Sequence, residues 1–222
     1  MKSIPSHPAI SKGFTLVEMS IVLIIIGIIL GAVIKGKDLI RSGEQKKIYS
    51  NFVQQWQIVY QNYFDRTGWI LGDDASDDNT DRDGLINNAA SETNLVRQLR
   101  AVGIDPPPEG PAGVANQRNY GSADGTTYSI CLNLQNNAVW GNHIELRGSV
   151  DACATQTGLP NDLAIALDNI IDGQRDGTNG EFQYDSNVGG GGNGAPWPDV
   201  LDDDGDPVAL DTDSAAIIRL PF

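Results

Sequence analysis

Residues 12–34 read KGFTLVEMSIVLIIIGIILGAVI, and this stretch decides the architecture. From Phe14 to Ile34 only Thr15, Glu18 and Ser20 carry polar side chains. A helix over these 21 residues matches the hydrocarbon core of a bilayer, which takes roughly 20 residues to cross. The residues before it, MKSIPSHPAISKG, are polar and basic, with Lys2 and Lys12. An ordinary secretory signal peptide has a shorter apolar core followed by a small-residue cleavage site. Here the apolar run is longer, and the candidate processing point at Lys12-Gly13 lies before it. A cut there would leave the membrane helix on the mature protein. Lys2 and Lys12 favour a cytoplasmic N-terminus, although Lys35, Lys37 and Arg41 beyond the span weaken that bias.

Glu18 is out of place in such a segment. A carboxylate in a membrane span costs about 2.5–3.5 kcal/mol on insertion scales, so it normally has a partner and a use. One reading is that Glu18, four residues into the span, reaches up to interfacial water. The other reading uses the cut after Gly13, which would create a positive amine on Phe14 one helical turn away. A neighbouring subunit displaced along a filament would then pair its Glu18 with that amine. A buried pair of this kind sets register more reliably than it adds stability.

The stretch resembles the N-terminal signature of type IV prepilins and type II secretion pseudopilins. Basic leader, Gly-Phe junction, glutamate and apolar run fall in register over about 30 residues. The resemblance implies that a prepilin peptidase cuts between Gly13 and Phe14 and N-methylates Phe14, with Glu18 the acidic residue five into the mature chain. It also implies a single-pass inner-membrane protein with its head in the periplasm, surrounded first by lipid. Inner-membrane assembly machinery would then pass it into a pilus or pseudopilus of like subunits, reaching the cell surface in the pilus case.

Past the span, no proline occurs from Asp38 to Phe64, and the apolar spacing becomes helical. Tyr49, Phe52, Val53, Trp56, Val59, Tyr60 and Tyr63 or Phe64 fall at i, i+3, i+4 and i+7, which predicts an amphipathic helix packing its aromatic stripe against its own head. One helix from Phe14 to Asp65 would be about 78 Å long at 1.5 Å per residue. Gly27 and Gly31 allow close helix approach. Gly36 and Gly43 are weak points, each costing up to about 1 kcal/mol relative to alanine. Thr67-Gly68 reads as the helix end.

The charge is segregated. The formal net charge is -14, and all six lysines lie at or before Lys47. From Thr67 onward 25 acids face seven arginines, a net of 18 negative charges. Such a head repels nucleic acid and anionic headgroups and attracts divalent cations, so direct nucleic-acid binding is not expected.

Within the head, Gly72 to Gly84 reads GDDASDDNTDRDG. Asp77, Asn79, Asp81 and Asp83 alternate and precede Gly84, the opening pattern of a calcium loop with oxygen ligands at alternate positions and a turn glycine after them. A full EF-hand does not fit, because the twelfth position counted from Asn79 is Ala90 and supplies no bidentate glutamate. The alternative is a solvated acidic loop. Calcium loops of similar look occur in pseudopilins, and the resemblance implies calcium as the cofactor. Asp202-Asp203-Asp204-Gly205-Asp206 is a further acidic run, lending ligands to the first site or forming a turn. Asp172-Gly173 and Asp176-Gly177 read as turns.

The remaining signals predict an α+β head. Ser91 to Val102 reads as a helix capped by Ser91 and ended by Gly103 and Pro106–Pro108, and Asp162 to Ile171 as a second, capped by Asn161 or Asp162. Thr127–Leu134, His143–Arg147, Glu181–Asp185 and Ala215–Leu220 read as strands, and Gly189–Gly194 as a loop. If the head is exported, Cys131 and Cys153 form one disulfide contributing ~3 kcal/mol; in the cytosol they would be buried thiols. His7 and His143 are the sole histidines, and His143 with Glu145 reads as surface decoration. No Gly-x-Ser-x-Gly and no phosphate loop occur, and no enzyme is expected.

The expected organisation is a leader at 1–13, a transmembrane and filament-core helix at 14–34, its amphipathic continuation at 35–66 and a periplasmic or extracellular head at 67–222. The helical spine would pack against a small antiparallel sheet with acidic loops. The expected function is a structural subunit, of the minor or specialised kind, in a type IV pilus or type II secretion pseudopilus. The competing reading is a membrane-anchored, calcium-dependent binding protein that forms no filament.

Overall fold

The computed structural model describes residues 13–73, 82–87, 92–110, 113–151, 153, 158–186, 194, 196–197 and 215–221. A helical run begins with α1 (Leu16–Ile48), passes through a π-helical turn (Tyr49–Val53) and continues as α2 (Gln54–Thr67). It stops at Gly68, whose φ of 72° is left-handed and whose N–H donates to the Phe64 carbonyl at 2.7 Å. The chain falls into two compact units that meet in sequence between Arg41 and Ser42.

The first unit is the apolar part of α1. Its side chains from Leu16 to Val33 are exposed, including Leu23, Ile28 and Leu30. An 18-residue window there has a mean hydropathy of 2.8, long and apolar enough to cross a membrane by length and composition. A surface of that kind calls for lipid or other helices.

The second unit is the α+β head, built on a five-stranded sheet. Its strands are β1 (Gln117–Gly121), β2 (Thr127–Asn137), β3 (Gly141–Ser149), β4 (Phe182–Asp185) and β5 (Ala215–Arg219). They lie in the order β1-β2-β3-β5-β4 with every neighbour antiparallel. Side chains alternate across a strand, so one face collects Ile130, Leu132, Leu134, Ile144, Leu146, Phe182 and Ile218. The aromatic stripe of the helical run shares this core: Phe52, Val53 and Trp56 are fully buried, and Trp56 Nε1 donates to the Ala115 carbonyl at 3.2 Å. Leu95 and Leu99 of α3 (Glu92–Ala101) and Leu163, Ala164 and Leu167 of α4 (Asn161–Ile171) complete it. The stripe is therefore core, as its spacing predicts.

The expected strands and helices are present, with differences at the ends. β2 and β3 are longer than their alternation suggests, because they continue through the hairpin joined at Asn137↔Gly141. β1, which sequence pattern does not reveal, pairs with β2 from Gln117↔Cys131 to Gly121↔Thr127. The N-cap of α4 is Pro160, with no side-chain cap, rather than Asn161 or Asp162. Proline's fixed φ suits that position, and the Asp162 carboxylate is used elsewhere. Ser91, the expected cap of α3, lies outside the described residues, as do His7, Gly189–Asn193 and Asp202–Asp206.

The second face of the sheet corrects the surface reading of His143 and Glu145. Both are buried, as are Gln183 and Asp185. Glu145 is the hub of this polar layer: Arg147 Nε lies 2.8 Å from its Oε1, and Gln135 Nε2 donates to the same oxygen at 3.3 Å. Strand alternation alone marks which face a residue takes, not whether that face meets water.

Candidate functional site

The start of α1 holds the residues expected to serve processing and assembly. Gly13 and Phe14 precede the helix, and Phe14 is 79% exposed. Thr15 and Glu18 then form a reciprocal cap. The Thr15 backbone N–H donates to Glu18 Oε2 at 2.7 Å, the Thr15 hydroxyl donates to the same oxygen at 2.9 Å, and the Glu18 N–H donates to Thr15 Oγ1 at 3.2 Å. This is a capping box, Thr-x-x-Glu, which satisfies donors that a helix start leaves open. The signal was present in the sequence as Thr15-Leu16-Val17-Glu18, and reasoning from the membrane span alone passes over Thr15. The carboxylate is thus held by its own helix start, within a turn of the peptide bond between Gly13 and Phe14.

Residues 9–34 match the prokaryotic N-terminal methylation motif. The chain carries the type IV pilin and pseudopilin signature. This signature describes a precursor that is cut and methylated at its N-terminus, and Gly13, Phe14 and Glu18 all fall inside the matched segment. No curated protein and no solved structure matches the chain. The long helix with its apolar segment, together with the antiparallel five-stranded sheet, makes a pilin-like α+β architecture.

Of the four expected calcium ligands, Asp77, Asn79 and Asp81 lie outside the described residues, and Asp83 is described. Asp83 Oδ1 accepts the Leu85 N–H at 2.9 Å in a turn. The two ends of the acidic segment are held together by Asp73, a buried residue that sequence reasoning did not single out. Its Oδ1 accepts the Asp83 N–H at 3.2 Å and its Oδ2 the Gly84 N–H at 3.1 Å. Burial pushes the Asp73 carboxyl above its ordinary range, against the opposing pull of those two donors. Asn87 adds two bonds, from its N–H to the Gly72 carbonyl and from its side chain to the Asp73 carbonyl. Asn142 of β3 accepts the Ile86 N–H and donates to the Gly84 carbonyl, each at 2.9 Å, which ties the segment's base to the sheet. Among the described residues no group of three or more His, Cys, Asp or Glu side chains is arranged to hold a metal ion.

Cys131 and Cys153 are joined in a disulfide, with Cα atoms 5.9 Å apart. It tethers β2 to the chain beyond β3. Asp176 serves the turn expected of it, whereas the Asp172 carboxylate reaches across to the start of β4. Asp172 accepts the Glu181 and Phe182 N–H groups, and Asp176 Oδ1 those of Thr178 and Asn179.

Proposed function

We propose that this chain is a structural subunit, of the minor or specialised kind, in a type IV pilus or type II secretion pseudopilus. Prepilin peptidase removes residues 1–13 and methylates Phe14, and the inner-membrane machinery then draws the processed chain into a filament of pilin-like subunits. The observation that carries this reading is the methylation motif at 9–34, with Glu18 in register behind the Gly13-Phe14 junction. In the filament, the apolar helices pack together and Glu18 of one subunit faces the Phe14 amine of another. The head stands in the periplasm or outside the cell and takes no catalytic part. Loss of Lys2 and Lys12 lowers the formal charge of the mature chain from -14 to -16.

The capping box supports a two-partner role for Glu18. In the single chain its carboxylate is satisfied by Thr15, so insertion does not leave the charge bare. Assembly then exchanges those contacts for a neighbour's amine. The same reading extends to calcium in the acidic segment. Asp77, Asn79, Asp81 and Asp83 supply the hard oxygen ligands that calcium takes, and Asp73 closes the base of the segment as a rigid binding loop requires.

Mass spectrometry of the N-terminal peptide, from sheared surface filaments and from membranes, tests the proposal. A methylated Phe14 terminus in the sheared fraction identifies a pilus subunit, and the same terminus confined to membranes identifies a minor pilin or pseudopilin. An intact Met1 leader in both fractions defeats the filament reading and favours a simple membrane anchor.

A further inference from the structure

We propose that Asp168 is a proton-operated latch, which fastens two stretches of chain against the edge strand β4 while its carboxyl is neutral and loosens them when it ionises. The latch goes beyond the filament reading and stands whether or not the chain enters a filament.

Asp168 opens the last turn of α4 and is fully buried. Its Oδ2 accepts the Trp197 Nε1–H at 2.6 Å and the Gly177 N–H at 3.1 Å. Both donors belong to chain that lies against β4, the outermost strand on its side of the sheet. The Gly177 carbonyl accepts the Tyr184 N–H at 2.8 Å, which straps that turn to β4. The Trp197 ring packs on Phe182 and Tyr184 of the same strand, with centroids 5.6 and 5.1 Å away. One carboxyl therefore fastens both the turn and the indole.

The second oxygen decides how. Oδ1 is buried, and no protein group bonds it. The charged groups that face the carboxyl are acids, Asp172 at the C-cap of α4 and Asp176 in the following turn. Asp172 in turn faces Glu181 at the entry to β4, and Arg175 of the turn is exposed. From β4 itself, Tyr184 stands behind Trp197, and Asp185 accepts the Trp140 indole N–H. No described cation pairs with Asp168. Ionised, it would be a buried charge without a counter-ion, which costs far more than a buried neutral acid. The described residues gather no group of His, Cys, Asp or Glu fit for a metal ion, so a proton neutralises the site. Burial, with Asp172 and Asp176, raises the Asp168 pKa against the pull of Trp197 and Gly177. A carboxyl raised in this way stabilises the folded head fully below its unfolded value of about 3.9, and the contribution is lost as the pH climbs through the raised value. The latch is tight in acid and slackens toward alkaline pH.

The full processed chain in detergent micelles, carrying 5-fluorotryptophan, is titrated from pH 4 to 8 by fluorine NMR. Trp197→Phe assigns the Trp197 signal. The expected signal moves with a midpoint above the ordinary aspartate range, and Asp168→Asn, a neutral isostere, holds it near its acid position throughout. In hydrogen exchange at pH 8 the Tyr184 amide should exchange severalfold faster in the parent than in Asp168→Asn, a difference that shrinks toward pH 4. Comparing the two chains at one pH cancels the pH dependence of exchange itself. A Trp197 signal that stays fixed, or that still titrates in Asp168→Asn, overturns the latch. So does a midpoint within or below the ordinary range, which would make Asp168 a permanently ionised acceptor. If circular dichroism shows Asp168→Asn unfolded, the parent decides alone. Protection of its Gly177 and Tyr184 amides, corrected for intrinsic rates, should fall as the pH rises, and constant protection overturns the latch.

Discussion

The Tyr120 hydroxyl donates to Asp162 Oδ2 across 2.6 Å, joining β1 to the first turn of α4. The same carboxylate accepts the Ser122 hydroxyl and the Ala123 N–H, each at 3.1 Å. From α1, Gln45 Nε2 donates to the Tyr120 hydroxyl at 3.0 Å and to the Asp162 carbonyl at 3.2 Å. One side chain therefore holds a hairpin, a helix start and the helical run in a single arrangement.

Asp162→Ala removes this acceptor from three donors. Hydrogen bonds to a charged group contribute about 1.5–3 kcal/mol each and do not add fully, so a loss of about 2–4 kcal/mol is expected. Denaturant titration of the full chain in detergent measures it, and Asp162→Asn should recover part. A loss below about 0.5 kcal/mol would show the clamp to be idle.

Glu18→Gln separates the cap from the charge. Glutamine can fill the fourth position of a capping box, so helix formation and membrane insertion should persist. Pairing with a neighbour's Phe14 amine is lost, and sheared filaments should fall at least tenfold by immunoblot. Filaments at the parental level would remove the charge pairing from the mechanism.

His143 sets a pH dependence. Its Nδ1 lies 2.7 Å from the Gly141 carbonyl, and Glu145 and Asp185 favour the charged ring, but burial outweighs them and lowers its pKa below 6.5. Arg219 and Gln135 stand opposite it in the neighbouring strands. The unfolded chain then takes up this proton first, so the contribution is complete above about pH 7.5 and declines as the pH falls through 6.5. Melting curves of the parent minus His143→Asn should show a stability difference that shrinks between pH 7.5 and 5. A difference that holds constant, or grows, would contradict the burial argument.

Calcium should raise the melting temperature of the full chain relative to chelator, because a ligand bound to the folded state alone stabilises it. Asp81→Ala with Asp83→Ala should abolish the increment. Equal melting temperatures with and without the ion would remove calcium from the account.

The disulfide closes a loop of 22 residues between Cys131 and Cys153. Cys131→Ser with Cys153→Ser should cost about 3 kcal/mol, mainly by freeing the unfolded chain. Urea unfolding under oxidising conditions measures the difference, and a reductant should bring the parent down to the variant.

Most of the architecture could be read because its signals are local. The span depends on an unbroken apolar run, the spine on 3.6-residue spacing from Tyr49 to Tyr63, and the four expected strands on alternation. β1 was illegible because Gln117–Gly121 contains one apolar side chain, Tyr120, and owes its strand to pairing with β2. The π-helical turn at Tyr49–Val53 likewise leaves no mark in apolar spacing. Gly13, Phe14 and Glu18 were legible because their order along the chain is the signal itself. Thr15 was overlooked because its role depends on a side-chain bond that the apolar pattern does not reveal. Asp73 was hidden among aspartates that look equivalent in sequence, and its role lies in its burial and its two backbone donors.

β5 comes last among the described strands and yet lies inside the sheet, between β3 and β4. A head threaded across a membrane N-terminus first would present β4 without its neighbour until residues 215–219 had followed. A translation stop between Asp185 and Ala215 leaves a three-stranded fragment, with Ile144 and Leu146 on an open edge strand and β4 detached. β5 therefore covers an edge of β3 that would otherwise be open to pairing with another chain.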